Sequence, residues 1–210
     1  MSRISAYERF RERLFTGELK PGQFITQREL AELAGVSLGN AREAVQKLEH
    51  DSLLRVHPQR GIQVADVTIR FIREAFQLRS MVEVTAVEYY CRDAPDKARK
   101  TLADTRAVLE KAETDTSAAV LSDAVEVDWR FHDEMVSAMN NKLIEEIYQI
   151  NAVRLRLIRA NIRLSADRVF GALGEHIAIL DACSAGDTAA AKEKLSEHLS
   201  VAMRRSMEGM

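Results

Sequence analysis

The chain has 210 residues, room for one large or two small domains, and a hydrophobic content of 46% that suits a globular protein with a buried core. Its 30 basic and 32 acidic side chains leave a net charge of −2, which excludes a uniformly basic nucleic-acid binder but allows a locally basic face. No apolar run approaches the roughly 20 residues that cross a bilayer, and the start MSRISAYERFRERLF is too charged for a signal peptide, so a cytoplasmic protein with no membrane partner is expected.

A first helix places Ile4, Tyr7, Phe10, Leu14 and Phe15 near one face, with Arg3, Arg9, Arg11 and Arg13 around the other, and Gly17 and Pro21-Gly22 end it. Thr26 with Glu29 then fits a capping box, in which hydroxyl and carboxylate each accept from the other residue's backbone N–H. Leu30, Leu33 and Ala34 share a face of the helix that follows. Gly35 supplies a left-handed residue to stop it, and Val36 plugs the turn. Ser37 caps the next helix, where Ala41, Ala44, Val45 and Leu48 recur at helical spacing and leave Asn40, Arg42, Glu43, Gln46 and Lys47 outward. Leu54, Val56, Ile62 and Val64 alternate around Pro58-Gln59-Arg60-Gly61, the composition of a hairpin whose tip carries His57, Gln59 and Arg60. Two short helices around a tight turn, followed by a hairpin, make a winged helix-turn-helix, and its natural partner is double-stranded DNA.

Beyond Val64 the pattern is almost wholly helical, with helices predicted near 68–92, 95–113, 117–139, 141–164, 168–185 and 187–206. Asp93 is placed to cap the second of these, Asn140-Asn141 marks a corner, Asp115 to Ala119 a loop, and Gly186-Asp187 closes one helix and caps the next. The expected fold is mainly α: a winged helix-turn-helix at 1–66 and an all-helical bundle at 67–210. Cys91 and Cys183, sparse and in separate helices, are expected to be buried free thiols in a reducing compartment.

Asp128 and His132 lie four apart, so a helix projects both from one face, close enough to share a cation. His176 and His198 sit on the last two helices and complete a set of three imidazoles and one carboxylate. Such a set suits zinc, nickel, manganese or iron and leaves room for water or a ligand carboxylate. The plainer reading is that an Asp-x3-His pair on a solvated face and two unrelated histidines share nothing.

Resemblance adds to both constellations. The run ELKPGQFITQRELAELAGVSLGNAREAVQKLEHDSLLRVHPQRGIQV resembles the DNA-binding domain of GntR-family bacterial transcription regulators at Pro21-Gly22, Arg28-Glu29-Leu30-Ala31, Gly35-Val36-Ser37, Arg42-Glu43-Ala44, Leu48-Glu49 and Arg60-Gly61. It implies DNA contacts from Arg28, from Ser37 and the following Leu38, Gly39 and Asn40, from Arg42, and from Gly61 with its neighbours His57, Gln59 and Arg60. Where that family commonly has Arg-Thr-Pro after the Ser, this chain has Leu38-Gly39-Asn40, so a usual base-reading arginine is missing and the family's operator core does not carry over. The runs Asp128-Trp129-Arg130-Phe131-His132 and Glu175-His176-Ile177-Ala178-Ile179-Leu180-Asp181-Ala182, with Gly186-Asp187 and His198-Leu199, resemble the FCD effector domain of the FadR subfamily. That resemblance implies a divalent metal, zinc first, on Asp128, His132, His176 and His198.

It also implies a small organic acid as effector, held near the metal by Arg79, which matches an arginine frequent in that domain, with Asn151 and Arg154 added by periodicity alone. For each arginine, a place at the surface or an ion pair with Glu83 or Glu88 is the better reading. Most of the run Arg154, Arg156, Arg159 and Arg163 must be solvated or interfacial. The expected function is a homodimeric, ligand-responsive repressor on a near-palindromic operator, not an enzyme. A sensor of the metal itself is one alternative, and a metal-dependent hydrolase the other, disfavoured because no second acid or base accompanies the ligands.

Overall fold

Side-chain caps and apolar spacing decide where most of the elements begin and which face each one buries. A computed structural model describes residues 5–162 and 165–209, which form two compact units. The sequence expectations for Arg3, Ile4 and Arg163 lie outside the described residues. The first unit runs to Arg73 and includes a second segment that begins at Ala152, and the second unit holds residues 74–151 and the described residues from 165 onward.

In the first unit, Ser5 and Thr26 each head a complete capping box, for α1 (Ala6–Phe15) and α2 (Gln27–Ala34) respectively. Gly35 ends α2 in the left-handed conformation at φ 60°, and the Arg9 Nη1 donates to the Ala34 carbonyl at 2.9 Å, satisfying one of the helix's orphan acceptors. Ser37 caps α3 (Leu38–His50), whose Ala41, Ala44, Val45 and Leu48 are buried as their spacing predicts. Phe10 and Leu14 of α1, Leu30 and Ala34 of α2, and Leu53 are buried in the same unit, where α3 contacts both α1 and α2. The hairpin joins β2 (Leu54–His57) to β3 (Gly61–Val64), with Leu54 opposite Val64 and Val56 opposite Ile62. A further strand, β1 (Phe24–Ile25), pairs with the other edge of β3, so the antiparallel order is β1-β3-β2. Two residues are too few to show an alternation, which is why β1 leaves no trace in the sequence pattern.

The second unit is helical throughout: α4 (Ile69–Asp93), α5 (Pro95–Ala112), α6 (Ala118–Ser137), α7 (Lys142–Asn161), α8 (Ala166–Ser184) and α9 (Thr188–Glu208). The first residues of α4 and the second half of α7 belong to the first unit, so each of these helices contributes to both. Val108, Ala124, Val127, Val169 and Leu173, from α5, α6 and α8, form a buried apolar cluster. Asn140 turns the corner before α7 at φ 50°, and the Asn141 Oδ1 accepts from the backbone N–H of Leu143 and Ile144. Asp187 caps α9 by accepting from the Ala190 N–H.

Two expectations are corrected. Asp93 does not cap α5: Arg92 grips both its carboxylate oxygens at 2.7 Å, and the N-cap is Ala94, followed by Pro95 at the first helical position, where the missing N–H costs nothing. Cys91 on α4 and Cys183 on α8 are not separate thiols but a disulfide, with Cα atoms 4.5 Å apart. Their separation by 92 positions carries no information on proximity, which comes only from the tertiary arrangement of the two helices. Among the described residues no helix is long and apolar enough to cross a membrane.

Candidate metal centre and nucleic-acid interface

The N-terminal turn of α3 leaves Ser37, Leu38, Gly39, Asn40 and Arg42 exposed, with the Ser37 hydroxyl accepting from the Asn40 N–H at 3.3 Å. Leu38, a large apolar side chain, is 51% exposed. Between α3 and the hairpin lies a hollow of about 460 Å³ lined by Gln27, Arg42, Val45, Gln46, Val56, His57, Pro58, Gln59, Gly61 and Ile62. Arg42, His57, Gln59 and Gly61 thus share one concave surface, and Arg60 is exposed beside it at the tip. Gln59 and Gly61 both have positive φ, at 64° and 98°, which tightens the tip so that its polar groups project. His57 is less free than its sequence position suggests, since its Nε2 lies 2.8 Å from the Gln63 Oε1. Arg28 pairs with Glu32 at 3.1 Å on the surface of α2, where both remain largely solvated and the arginine can exchange this partner for a phosphate.

In the second unit, His132 on α6, His176 on α8 and His198 on α9 come together, with one nitrogen from each within 4.8 Å of the others. His132 and His176 are wholly buried and His198 nearly so. The His176 Nε2 is 3.1 Å from the His198 Nε2 and 3.6 Å from the Asp128 Oδ1, which joins the group one turn before His132 on α6. Two rings are gripped from behind: the His132 Nδ1 lies 2.8 Å from the Glu83 Oε2 and the His198 Nδ1 2.7 Å from the Glu175 Oε2. An ionised carboxylate can only accept, so both Nδ1 atoms carry a proton, and a neutral ring then holds its lone pair on Nε2. The buried His132 Nε2 has no hydrogen-bond partner among the described residues. A desolvated lone pair with nothing to accept is costly, and a cation satisfies it. Tetrahedral zinc with Zn–N bonds near 2.0–2.1 Å sets its ligand nitrogens about 3.3 Å apart, close to the 3.1 Å seen here between His176 and His198.

Electrostatics keep the donor set ready. Burial lowers the pKa of His132, with Arg79 adding to the effect, so the ring stays neutral. Burial pushes the Glu83 carboxyl up, but Arg79, His132 and Tyr148 outweigh it and hold the group at about 2. Burial likewise raises the Glu175 carboxyl, and His198 with Arg205 more than offset this, leaving it below the usual range. Burial and the Glu83 charge push Tyr148 well up, so it stays a hydroxyl and donates to the Glu83 Oε1.

The three effector candidates fall in different surroundings. Arg79 is buried and spent on Glu83, its Nε donating to the Oε1 at 2.7 Å. Asn151 donates to the Ala75 carbonyl at 2.9 Å, leaving its buried Oδ1 without a hydrogen-bond partner among the described residues. Arg154 belongs to the first unit, where its guanidinium lies 4.9 Å from the Phe71 ring centroid. Nothing in the sequence pattern marks Glu175 or Tyr148 as a site residue, and Glu83 stands out only as an ion-pair partner. The one available signal for Glu83 is its place four residues after Arg79, and for Glu175 its place next to His176.

Comparison with known proteins places both halves. A family model described as the FCD domain matches residues 74–201, and one described as bacterial regulatory proteins, gntR family, matches residues 4–64. A curated relative from Bacillus subtilis (strain 168), YdhC, described as an uncharacterized HTH-type transcriptional regulator, is 24% identical over 199 residues, covering 93% of this chain and 86% of its own. Among solved structures, a GntR transcriptional regulator from Rhodococcus sp. RHA1 superposes with a TM-score of 0.75 at 24% identity, over 96% of this chain and 95% of that one, a likeness of fold. The zinc-bound FCD domain of TM0439 aligns with a TM-score of 0.55 at 25% identity, over 69% of this chain and 96% of that one.

Proposed function

The chain belongs to the GntR family of bacterial regulatory proteins, with an FCD domain, and from that premise we propose how it works. It is a DNA-binding transcriptional regulator and not an enzyme. In the proposed division of labour, residues 1–66 read the operator and residues 67–210 sense a signal. Two copies bind a near-palindromic operator as a repressor, each setting α3 in the major groove with the hairpin as wing. Arg42 and Asn40 reach base edges, while Arg28, Ser37, Leu38, Gly39 and the tip residues His57, Gln59, Arg60 and Gly61 seat the backbone. Met81, Leu143 and Ile147, large apolar side chains exposed on α4 and α7, support a homodimer. Acting on the bacterial chromosome, the protein works in the cytoplasm.

Asp128, His132, His176 and His198 hold a divalent metal, zinc by preference, which supplies a Lewis-acidic anchor for a small carboxylate effector. The observation that carries this reading is the buried Nε2 of His132, without a hydrogen-bond partner among the described residues, beside two further imidazoles. The zinc in the FCD domain of TM0439 is support from a relative. Arg79 and Asn151 are the nearer effector candidates. Because Arg79 is already neutralised by Glu83, the metal is the better anchor for an anion. Effector binding changes operator affinity only by favouring one of two arrangements of the protein.

The test is a gel shift on operator fragments selected from random DNA, with metal analysis of the same protein. Arg42→Ala is expected to lose at least about tenfold in operator affinity with metal content unchanged. Undiminished affinity overturns the assignment of α3, and protein that holds no metal after reconstitution with zinc overturns the centre.

A further inference from the structure

Glu83 is wholly buried, yet each of its carboxylate oxygens is committed. The Oε1 accepts from the Arg79 Nε at 2.7 Å and from the Tyr148 hydroxyl at 2.5 Å, and the Oε2 faces the His132 Nδ1 at 2.8 Å. Arg79 and Glu83 stand on α4, Tyr148 on α7 and His132 on α6, so one carboxylate joins three helices at the back of the histidine group. The companion contact differs in kind. Glu175 holds the His198 Nδ1 from a partly exposed position, where water can take its place.

We propose that Glu83 is the positioning residue of the metal centre: it fixes His132 in the tautomer with Nδ1–H and an inward Nε2 lone pair, and ties that ring to Arg79 of α4 and Tyr148 of α7. This rests on the metal centre proposed above. Nothing else described competes for the His132 Nδ1, and a carboxylate cannot donate, so the tautomer follows from the contact. Arg79 and Tyr148 prevent Glu83 from turning away or picking up a proton, because both donate to the Oε1. A ligand that displaces His132 therefore pulls on Glu83 and, through it, on Arg79 of α4 and Tyr148 of α7.

The amide in Glu83→Gln makes the inference sharp. Gln offers one acceptor and one donor where Glu offers two acceptors. The Arg79 Nε–H demands the acceptor at the Oε1 position, which turns the NH2 toward the His132 Nδ1 and forces a proton onto the Nε2, the nitrogen that should bind metal. Removing the demand restores the order. In Arg79→Met with Glu83→Gln, the amide oxygen is free to face His132 while the NH2 donates to the Tyr148 hydroxyl, which rotates to accept.

The full-length chain is used throughout. Long-range proton–nitrogen NMR of the metal-free wild type reads each imidazole tautomer without any variant having to fold, and His132 is expected as the Nδ1–H form. Zinc affinity, by competition with a chromogenic chelator, is expected to fall by about 10- to 100-fold in Glu83→Gln, the range for loss of a partner behind a metal ligand. Most of that loss is expected to return in the double variant. A purely structural role for Glu83 predicts no recovery when a second buried side chain is replaced. Wild-type His132 in the Nε2–H form, zinc affinity unchanged in Glu83→Gln, or no recovery in the folded double variant overturns the proposal. A wild-type chain that takes up no zinc overturns the metal centre instead, and the tautomer spectrum still decides the role of Glu83.

Discussion

Loading the metal-free protein with zinc is expected to stabilise the second unit selectively, by an amount that follows from mass action. At a free zinc concentration a hundredfold above the Kd, a ligand bound only by the folded state adds about 2.7 kcal/mol. The second unit comprises roughly 120 residues, and unfolding entropy near 2.1 cal/mol/K per residue gives it about 0.25 kcal/mol/K. The melting temperature should then rise by about 10 °C. Calorimetry is the suitable assay, because two units can melt in separate transitions and only one should respond. His198→Ala is the informative control. Its partner Glu175 keeps Arg205 at 3.0 Å and is exposed enough to be hydrated, whereas truncating His132 would deprive wholly buried Glu83 of a donor. Each protein is compared with its own metal-free form, so the intrinsic cost of the substitution cancels. The variant should lose most of the zinc-induced rise. A wild-type melting temperature indifferent to zinc, or a His198→Ala variant that gains as much as wild type, refutes the reasoning.

Three further outcomes are expected. Reducing the Cys91–Cys183 disulfide opens a loop of 92 residues, for which the chain-entropy model gives at most about 4–5 kcal/mol of lost stability. Denaturant titration with and without reductant measures the loss, and thiol counting that finds both cysteines free in the oxidised protein refutes it. Gly61→Ala puts a Cβ about 3.2 Å from the Ile25 carbonyl oxygen at a φ of 98°, so it should destabilise the first unit by roughly 1–3 kcal/mol and weaken operator binding. A variant with the wild-type melting curve contradicts the stated strain. Tyr7 donates to the Asp51 carboxylate, and burial first, then Asp51, lifts its pKa from 10.0 to about 12. A raised pKa means that the associated stability is complete below pH 10 and is lost as pH rises toward 12. Solvent at this half-buried site reduces the contribution to about 1 kcal/mol. Urea melts across that range should show the loss in wild type and not in Tyr7→Phe.

Much of the first unit is legible in sequence because its signals are local. Thr26 and Glu29, Gly35, and Ser37 act on backbone groups within three residues, and the apolar spacing in α3 names the buried face without reference to any neighbour. The failures are features whose cause is a side-chain partner or a neighbouring element that spacing does not show. The two residues of β1 become a strand only because the edge of β3 is open to them. Asp93 looks like a cap until Arg92 claims both its oxygens, and the cysteines look solitary until the bundle sets α4 against α8.

The site divides along the same line. Asp128 and His132 are linked by helical spacing, but His176 and His198, on other helices, join them in sequence only through resemblance, and in the structure through the assembled bundle. The carboxylates behind the rings are harder still to see. An Arg followed four residues later by a Glu is, in most helices, a solvated pair worth a few tenths of a kcal/mol. What separates Arg79 and Glu83 from that majority is burial, and burial is set by the packing of α6 and α7 around α4. A buried ion pair gains little over apolar side chains as a source of stability. Its presence is better explained by what it orients, and here it orients a ring whose buried Nε2 has no hydrogen-bond partner among the described residues.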